Sequence, residues 1–174
     1  MTYQQRYISP SVAMTTAFGR SIGRQAFDGL VVALQGDLGA GKTHLAQGIA
    51  AGMGIGGTIA SPTFTLLNDY VQEDGLSLHH FDVYRLEQAD ELEGIGFYDY
   101  GTEGVTLVEW ADRFPEDIWP HAIWIRLERT GADTERGITV IVPERQITWW
   151  KGVEADVVGA GYVRTDLDGC VDGR

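Results

Sequence analysis

Positive charge, cysteine and long apolar runs are all scarce in this chain. Its 174 residues hold 13 lysines and arginines against 25 aspartates and glutamates, a net charge of −12. Such a surface repels polyphosphate backbones and offers no basic stripe, which excludes autonomous binding to DNA or RNA. The single cysteine, Cys170, excludes an intrachain disulfide and fits a reducing, cytoplasmic setting. Met1 to Pro10 lacks a charged segment followed by an apolar run and does not read as a secretory signal. The longest uncharged stretch, Thr43 to Asn68, is interrupted by glycines and Pro62 and includes His44, so it cannot span a membrane. No Asn-Lys pair occurs anywhere, and with it goes the Asn-Lys-x-Asp motif by which a GTPase reads guanine.

What is present suits one globular domain: 44% hydrophobic residues in a chain of this length can bury a real core. Tyr3 to Ser9 reads as a strand, and Pro10 to Phe27 as a helix stopped by Asp28-Gly29. Leu30 to Leu34 is a continuous apolar run, the pattern of a strand covered on both faces. Thr43 to Met53 turns helical and ends in a glycine cluster. Phe64 to Gln72 and Leu76 to Val83 read as an antiparallel hairpin around Glu73-Asp74-Gly75. Gln88 to Glu93 is a short helix candidate, and Val105 to Val108, Ala122 to Leu127 and Ile138 to Val142 are further strands. These elements predict an α/β fold: a three-layer sandwich with a mixed, mostly parallel central sheet flanked by helices and an added antiparallel hairpin. The division is one domain over 1–150 and an acidic, glycine-rich tail over 151–174, with Trp149 and Trp150 read as packing at the tail's start.

The chemistry is written at the end of the apolar strand. Gly36-Asp37-Leu38-Gly39-Ala40-Gly41-Lys42-Thr43 has the G-x-x-x-x-G-K-[ST] spacing, in which glycines let consecutive N–H groups point at phosphate oxygens at the start of a helix. Lys42 would reach the β and γ phosphates, and the Thr43 hydroxyl would ligate magnesium. The chain has two lysines, Lys42 and Lys151, against eleven arginines. A compact ammonium fits inside the curled loop where a planar guanidinium does not, so the lysine reads as a demand of the site.

A phosphate loop needs further carboxylates to hold magnesium and orient water, placed at strand ends. Asp82, after Leu76-Ser77-Leu78-His79-His80-Phe81, and Glu109, after Val105-Thr106-Leu107-Val108, are the candidates; position alone leaves each open between function and plain surface charge. Ser61-Pro62-Thr63-Phe64-Thr65 lies where a switch loop would, with hydroxyls for magnesium or the γ-phosphate, or is an ordinary turn. His79 and His80 alternate across their strand, so at most one faces the site, and both read as structural. Trp110 is a stacking residue near the nucleotide or part of the core. Asp166-Leu167-Asp168-Gly169 imitates a GTPase switch but follows no apolar strand.

The loop, together with Ser61-Pro62-Thr63-Phe64-Thr65-Leu66, His80-Phe81-Asp82-Val83-Tyr84-Arg85-Leu86, Glu91-Leu92-Glu93-Gly94-Ile95-Gly96 and Leu107-Val108-Glu109-Trp110, closely resembles the bacterial TsaE (YjeE) family over about residues 8 to 142. The resemblance implies an ATPase of the machinery that places threonylcarbamoyl on the adenosine beside the tRNA anticodon. It implies ATP and Mg2+ as cofactors and the TsaD and TsaB proteins as partners, with tRNA met only through them. By the same resemblance, Asp37, Leu38, Gly39, Ala40, Gly41, Lys42 and Thr43 hold the nucleotide. Thr43, Asp82 and Glu109 hold the metal, while Lys42, Asp82 and Glu109 act in hydrolysis. Trp110, Thr63 and Thr65 belong to the same cluster, and Thr15 and Arg136 lie near the nucleotide. His44 departs from the second hydroxyl residue often found after Lys-Thr, and the chain past Val153 exceeds the family's length.

Two other functions remain compatible with these motifs. A small-molecule kinase would use a strand-end carboxylate as base, but Arg113, Arg126, Arg129 and Arg136 form no run that would make a lid. A nucleotide-gated binding module would order 61–65 with negligible hydrolysis.

Overall fold

The computed structural model describes residues 2–165. The strands are β1 (Thr2–Ser9), β2 (Leu30–Gln35), β3 (Leu67–Tyr70), β4 (Leu78–Asp82), β5 (Val105–Glu109), β6 (Ile123–Arg129), β7 (Arg136–Pro143) and β8 (Val163–Thr165); the helices are α1 (Val12–Arg24), α2 (Lys42–Gly52), α3 (Asp90–Gly94) and α4 (Ile147–Gly159). They build one sheet in the order β3-β4-β5-β2-β6-β7-β1-β8. Its centre, β4-β5-β2-β6, is parallel. The hairpin strand β3 runs antiparallel at one edge, and β7, β1 and β8 extend the other edge antiparallel.

The continuous apolar run of β2 is buried on both faces, as its central place in the sheet requires. Leu30, Val32 and Leu34 point to the side covered by α1, α2 and α4, where Phe18, Leu45, Ile49, Trp150 and Val153 complete one core. Val31 and Ala33 point to the other side, where Phe81, Val108, Leu92 and Phe97 form a smaller one. Each fully buried side chain of this kind contributes about 1.5–3 kcal/mol.

Helix α1 is shorter than the expected 10–27 because the Ser11 hydroxyl accepts the Met14 N–H and starts the helix one residue after Pro10 has turned the chain. Of the glycine cluster at the end of α2, Gly52 has a packing purpose: a Cβ there would run into the Arg20 carbonyl, as one on Gly48 would run into that of Thr16 and one on Gly23 into that of Ile49, so α1 and α2 lie backbone against backbone. Residues 64–66 form a turn before β3 rather than its first residues, with Leu66 in the left-handed region (φ 67°).

The expected tail needs correction. Its start at 151 falls inside α4, whose Trp150, Val153 and Val157 make a stripe spaced three and four apart against the α1 face. Phe18 meets the rings of Trp150 and Tyr162 at 6.3 and 5.4 Å. Acidic and glycine-rich composition hid this three-residue stripe. Asp166-Leu167-Asp168-Gly169 and Cys170 lie outside the described residues. No helix among the described residues is long and apolar enough to cross a membrane.

Candidate functional site

Parallel strands bring their C-terminal ends to one edge. Leu34, Asp82 and Glu109 are in-register neighbours on β2, β4 and β5, so the chain that leaves β2 for the glycine loop passes directly over both carboxylates. Side-chain alternation then decides which residues face the loop: Leu78, His80 and Asp82 share one side of β4 with Leu107 and Glu109 of β5, while Phe81 and Val108 face the smaller core.

The loop curls through left-handed Gly39 (φ 77°) and Gly41 (φ 105°), and Gly41 caps α2, which begins at Lys42. The first N–H groups of α2 therefore open on the cleft without a helical acceptor. The carbonyls of Gly39 and Ala40 turn toward β7. Arg136 receives them from behind, its Nε donating to Ala40 O (2.9 Å) and its Nη2 to Gly39 O (3.2 Å).

Lys42 is almost completely buried, and its Nζ donates to Gly36 O and to Asp37 O (3.0 Å) beneath the Trp110 ring, 3.8 Å from its centroid. Burial pushes its pKa down, opposed by the charges of Glu109, Asp112, Asp82 and Asp37. Trp110 reaches over the lysine because it turns the chain in the left-handed region (φ 61°) immediately after β5, and Tyr84 packs against it at 4.6 Å. A non-glycine residue held at positive φ beside a charged site is the kind of local strain a surrounding structure must enforce.

The two carboxylates have different company. Asp82 accepts the hydroxyls of Ser61 (2.7 Å) and Thr63 (3.2 Å) on Oδ2 and the Tyr84 N–H (2.9 Å) on Oδ1, which ties the 61–63 segment to the strand end. Glu109 meets His80 Nε2 at 2.8 Å and, at 3.4 Å, the Thr43 hydroxyl. A cleft of about 350 Å³ is lined by Gly39, Gly41, Lys42, Thr43, Ser61, Thr63, Asp82, Glu109, Trp110 and Arg136, with Leu38, Val12, His44 and Tyr84 beside them. Its size suits a small molecule.

Several expected site residues stand elsewhere. Asp37 and Ala40 shape the loop with their backbone and do not line the cleft. Thr15 is buried behind Gly41, its hydroxyl 2.8 Å from that of Ser9. Thr65 donates to Asn68 (3.0 Å) on the surface, and Ser61 joins Thr63 at Asp82 in its place. His80, read from the sequence as structural, is the histidine of the pair that faces the site and meets Glu109; its alternation with Asp82 was the signal, since residues two apart share a face.

Among the described residues no group of three or more histidine, cysteine, aspartate or glutamate side chains could hold a metal ion. One hydroxyl and two carboxylates are hard oxygen donors, the set that suits magnesium when phosphate oxygens and water complete the shell. The arrangement can thus take a polyphosphate and a divalent cation together.

The description "threonylcarbamoyl adenosine biosynthesis protein TsaE" matches residues 9–138. The chain is 43% identical over 137 residues to the tRNA threonylcarbamoyladenosine biosynthesis protein TsaE of Treponema pallidum, covering 78% of this chain and 98% of that one. It is 44% identical over 126 residues to the protein of that name in Bacillus subtilis, covering 72% and 77%. The crystal structure of Bacillus subtilis YdiB superposes with a TM-score of 0.73 at 34% identity, over 90% of this chain and 97% of that chain. This α/β chain, with its phosphate loop over two strand-end carboxylates, belongs to the TsaE family.

Proposed function

We propose that this protein binds ATP with Mg2+ in the cleft and hydrolyses it slowly, and that it serves the threonylcarbamoyl modification of the adenosine next to the tRNA anticodon through the TsaD and TsaB proteins. The observation that carries the reading is the convergence of Lys42, Thr43, Asp82 and Glu109 on one cleft at the start of α2. The loop N–H groups and Lys42, released from Gly36 O and Asp37 O, would neutralise charge on the β and γ phosphates. Thr43, Asp82 and Glu109 would hold Mg2+, which would supply further charge neutralisation. A strand-end carboxylate would orient the attacking water, a scheme without a covalent intermediate. Net charge of −12 argues that tRNA is met through partners.

Arg113 donates to Leu86 O (2.7 Å) and Arg136 to the back of the loop, commitments that leave them poor candidates for the mobile lid of a small-molecule kinase. Phosphate release measured with and without TsaD and TsaB tests the proposal. Stimulation by the partners is expected; its absence, or ATP-dependent phosphorylation of a metabolite in a substrate screen, would sink it.

A further inference from the structure

His80 is fully buried, and its Nδ1 has no hydrogen-bond partner among the described residues. Its in-register neighbour on β5 is Leu107 and its face-mate along β4 is Leu78. An apolar side chain would fill that place without desolvating a polar ring, so a histidine there needs a polar reason. Among the described residues the single polar contact of the ring is with Glu109, Nε2 to Oε1 at 2.8 Å. Facing a carboxylate, which only accepts, Nε2 donates and Nδ1 carries the lone pair.

Glu109 also lies in register with Asp82, a second carboxylate on the neighbouring strand, and two like charges side by side favour rotamers that swing apart. Asp82 is held by three donors from Ser61, Thr63 and Tyr84. On Glu109 only the Thr43 hydroxyl, at 3.4 Å, shares that role with His80.

We infer that His80 is a positioning residue for Glu109: its N–H anchors Oε1 from inside the core, so that Oε2 stays turned toward Thr43, where the cation of a metal-nucleotide complex binds. The inference rests on the proposed function. Partners behind a metal-holding side chain orient it, and their loss costs about 10–100-fold in metal affinity.

The test is calorimetric titration of the full chain with ADP and with a non-hydrolysable ATP analogue, each with and without Mg2+, on His80→Gln and His80→Asn. Both variants bury an amide, but only the glutamine amide extends far enough to stand in for Nε2. The gain in affinity on adding Mg2+ should survive in His80→Gln and fall about tenfold in His80→Asn, while metal-free affinity stays within about twofold of the parent in both. His80→Leu, which removes the donor and buries no amide, carries the same expectation as His80→Asn and replaces it if thermal unfolding shows that variant unfolded. In a Glu109→Gln background, His80→Asn should add little further loss. Equal loss in the Gln and Asn variants, equal loss without Mg2+, or an undiminished loss in the Glu109→Gln background would each overturn the inference and leave the proposed function standing. A parent protein whose nucleotide affinity ignores Mg2+ would overturn both.

Discussion

Two glutamates are buried to the same degree in this protein, Glu109 in the cleft and Glu154 on α4, each 2% exposed. Glu154 is saturated: Oε1 accepts the hydroxyls of Tyr3 and Tyr7, and Oε2 meets Lys151 at 3.0 Å and Arg164 at 3.2 Å. Glu109 has one short partner, His80, and one long one, Thr43. A carboxylate has about four lone-pair directions, so Glu154 has none left to offer and Glu109 keeps some. Burial alone therefore does not separate the two acids; unspent acceptor capacity facing a cleft does. The difference also follows the sheet. Glu109 ends a parallel strand, where side chains open on the edge beside a helix start, whereas Glu154 joins α4 to β1 and β8 across the antiparallel edge.

The largest effect that would break this contrast is at the cleft. Lys42→Ala should lower turnover by about 100-fold or more, the scale of losing a charge-stabilising donor, and change thermal unfolding far less, because the hydrogen bonds of Lys42 go to its own loop; steady-state phosphate release with a melting curve reads both. Exchanging the glutamates comes next. Glu109→Gln should reduce turnover strongly at nearly unchanged stability. Glu154→Ala should cost about 1–3 kcal/mol, by leaving the buried Tyr7 hydroxyl without its acceptor, and leave turnover per folded molecule unchanged. Urea unfolding beside single-turnover assays separates the two, and equal effects on turnover would erase the distinction.

A pH series sharpens it. Burial alone would raise the Glu154 pKa, but the hydroxyls of Tyr3 and Tyr7 and the ammonium of Lys151 bring it below its ordinary 4.5. A depressed carboxylate contributes stability above its unfolded pKa and loses it as pH falls through the folded one, so stability should decline below about pH 4.5. Tyr7 is shifted the opposite way, raised from 10.0 first by burial and then by Glu154. Its contribution is complete below pH 10 and is lost as pH rises beyond it. Glu154→Gln should flatten the acid limb of a melting-temperature profile. The smallest effect is Lys151→Ala: this side chain is half exposed, so the change should cost under about 1 kcal/mol by urea unfolding.

What could be read without coordinates was what is local. The glycine loop carries its own geometry, and β2 announced a central strand because five apolar residues in a row cannot alternate. Asp82 and Glu109 were legible as strand ends. Thr65 was not legible: a hydroxyl two residues from Thr63 looks the same in sequence whether it meets Asp82 or Asn68, and nothing local shows that Thr15 meets Ser9. The stripe of Trp150, Val153 and Val157 was too short to outweigh its acidic, glycine-rich surroundings, and the antiparallel β7-β1-β8 edge joins segments more than a hundred residues apart.

The sequence by itself determined that this chain curls a glycine loop between a buried strand and a helix, since glycine spacing and apolar runs act through the nearest few residues. Tertiary structure alone decided which side chains complete that loop. The register of β2, β4 and β5 set Glu109 beside Asp82 and within reach of His80, and only that register distinguishes a carboxylate with capacity to spare from the equally buried one that Tyr3, Tyr7, Lys151 and Arg164 have used up.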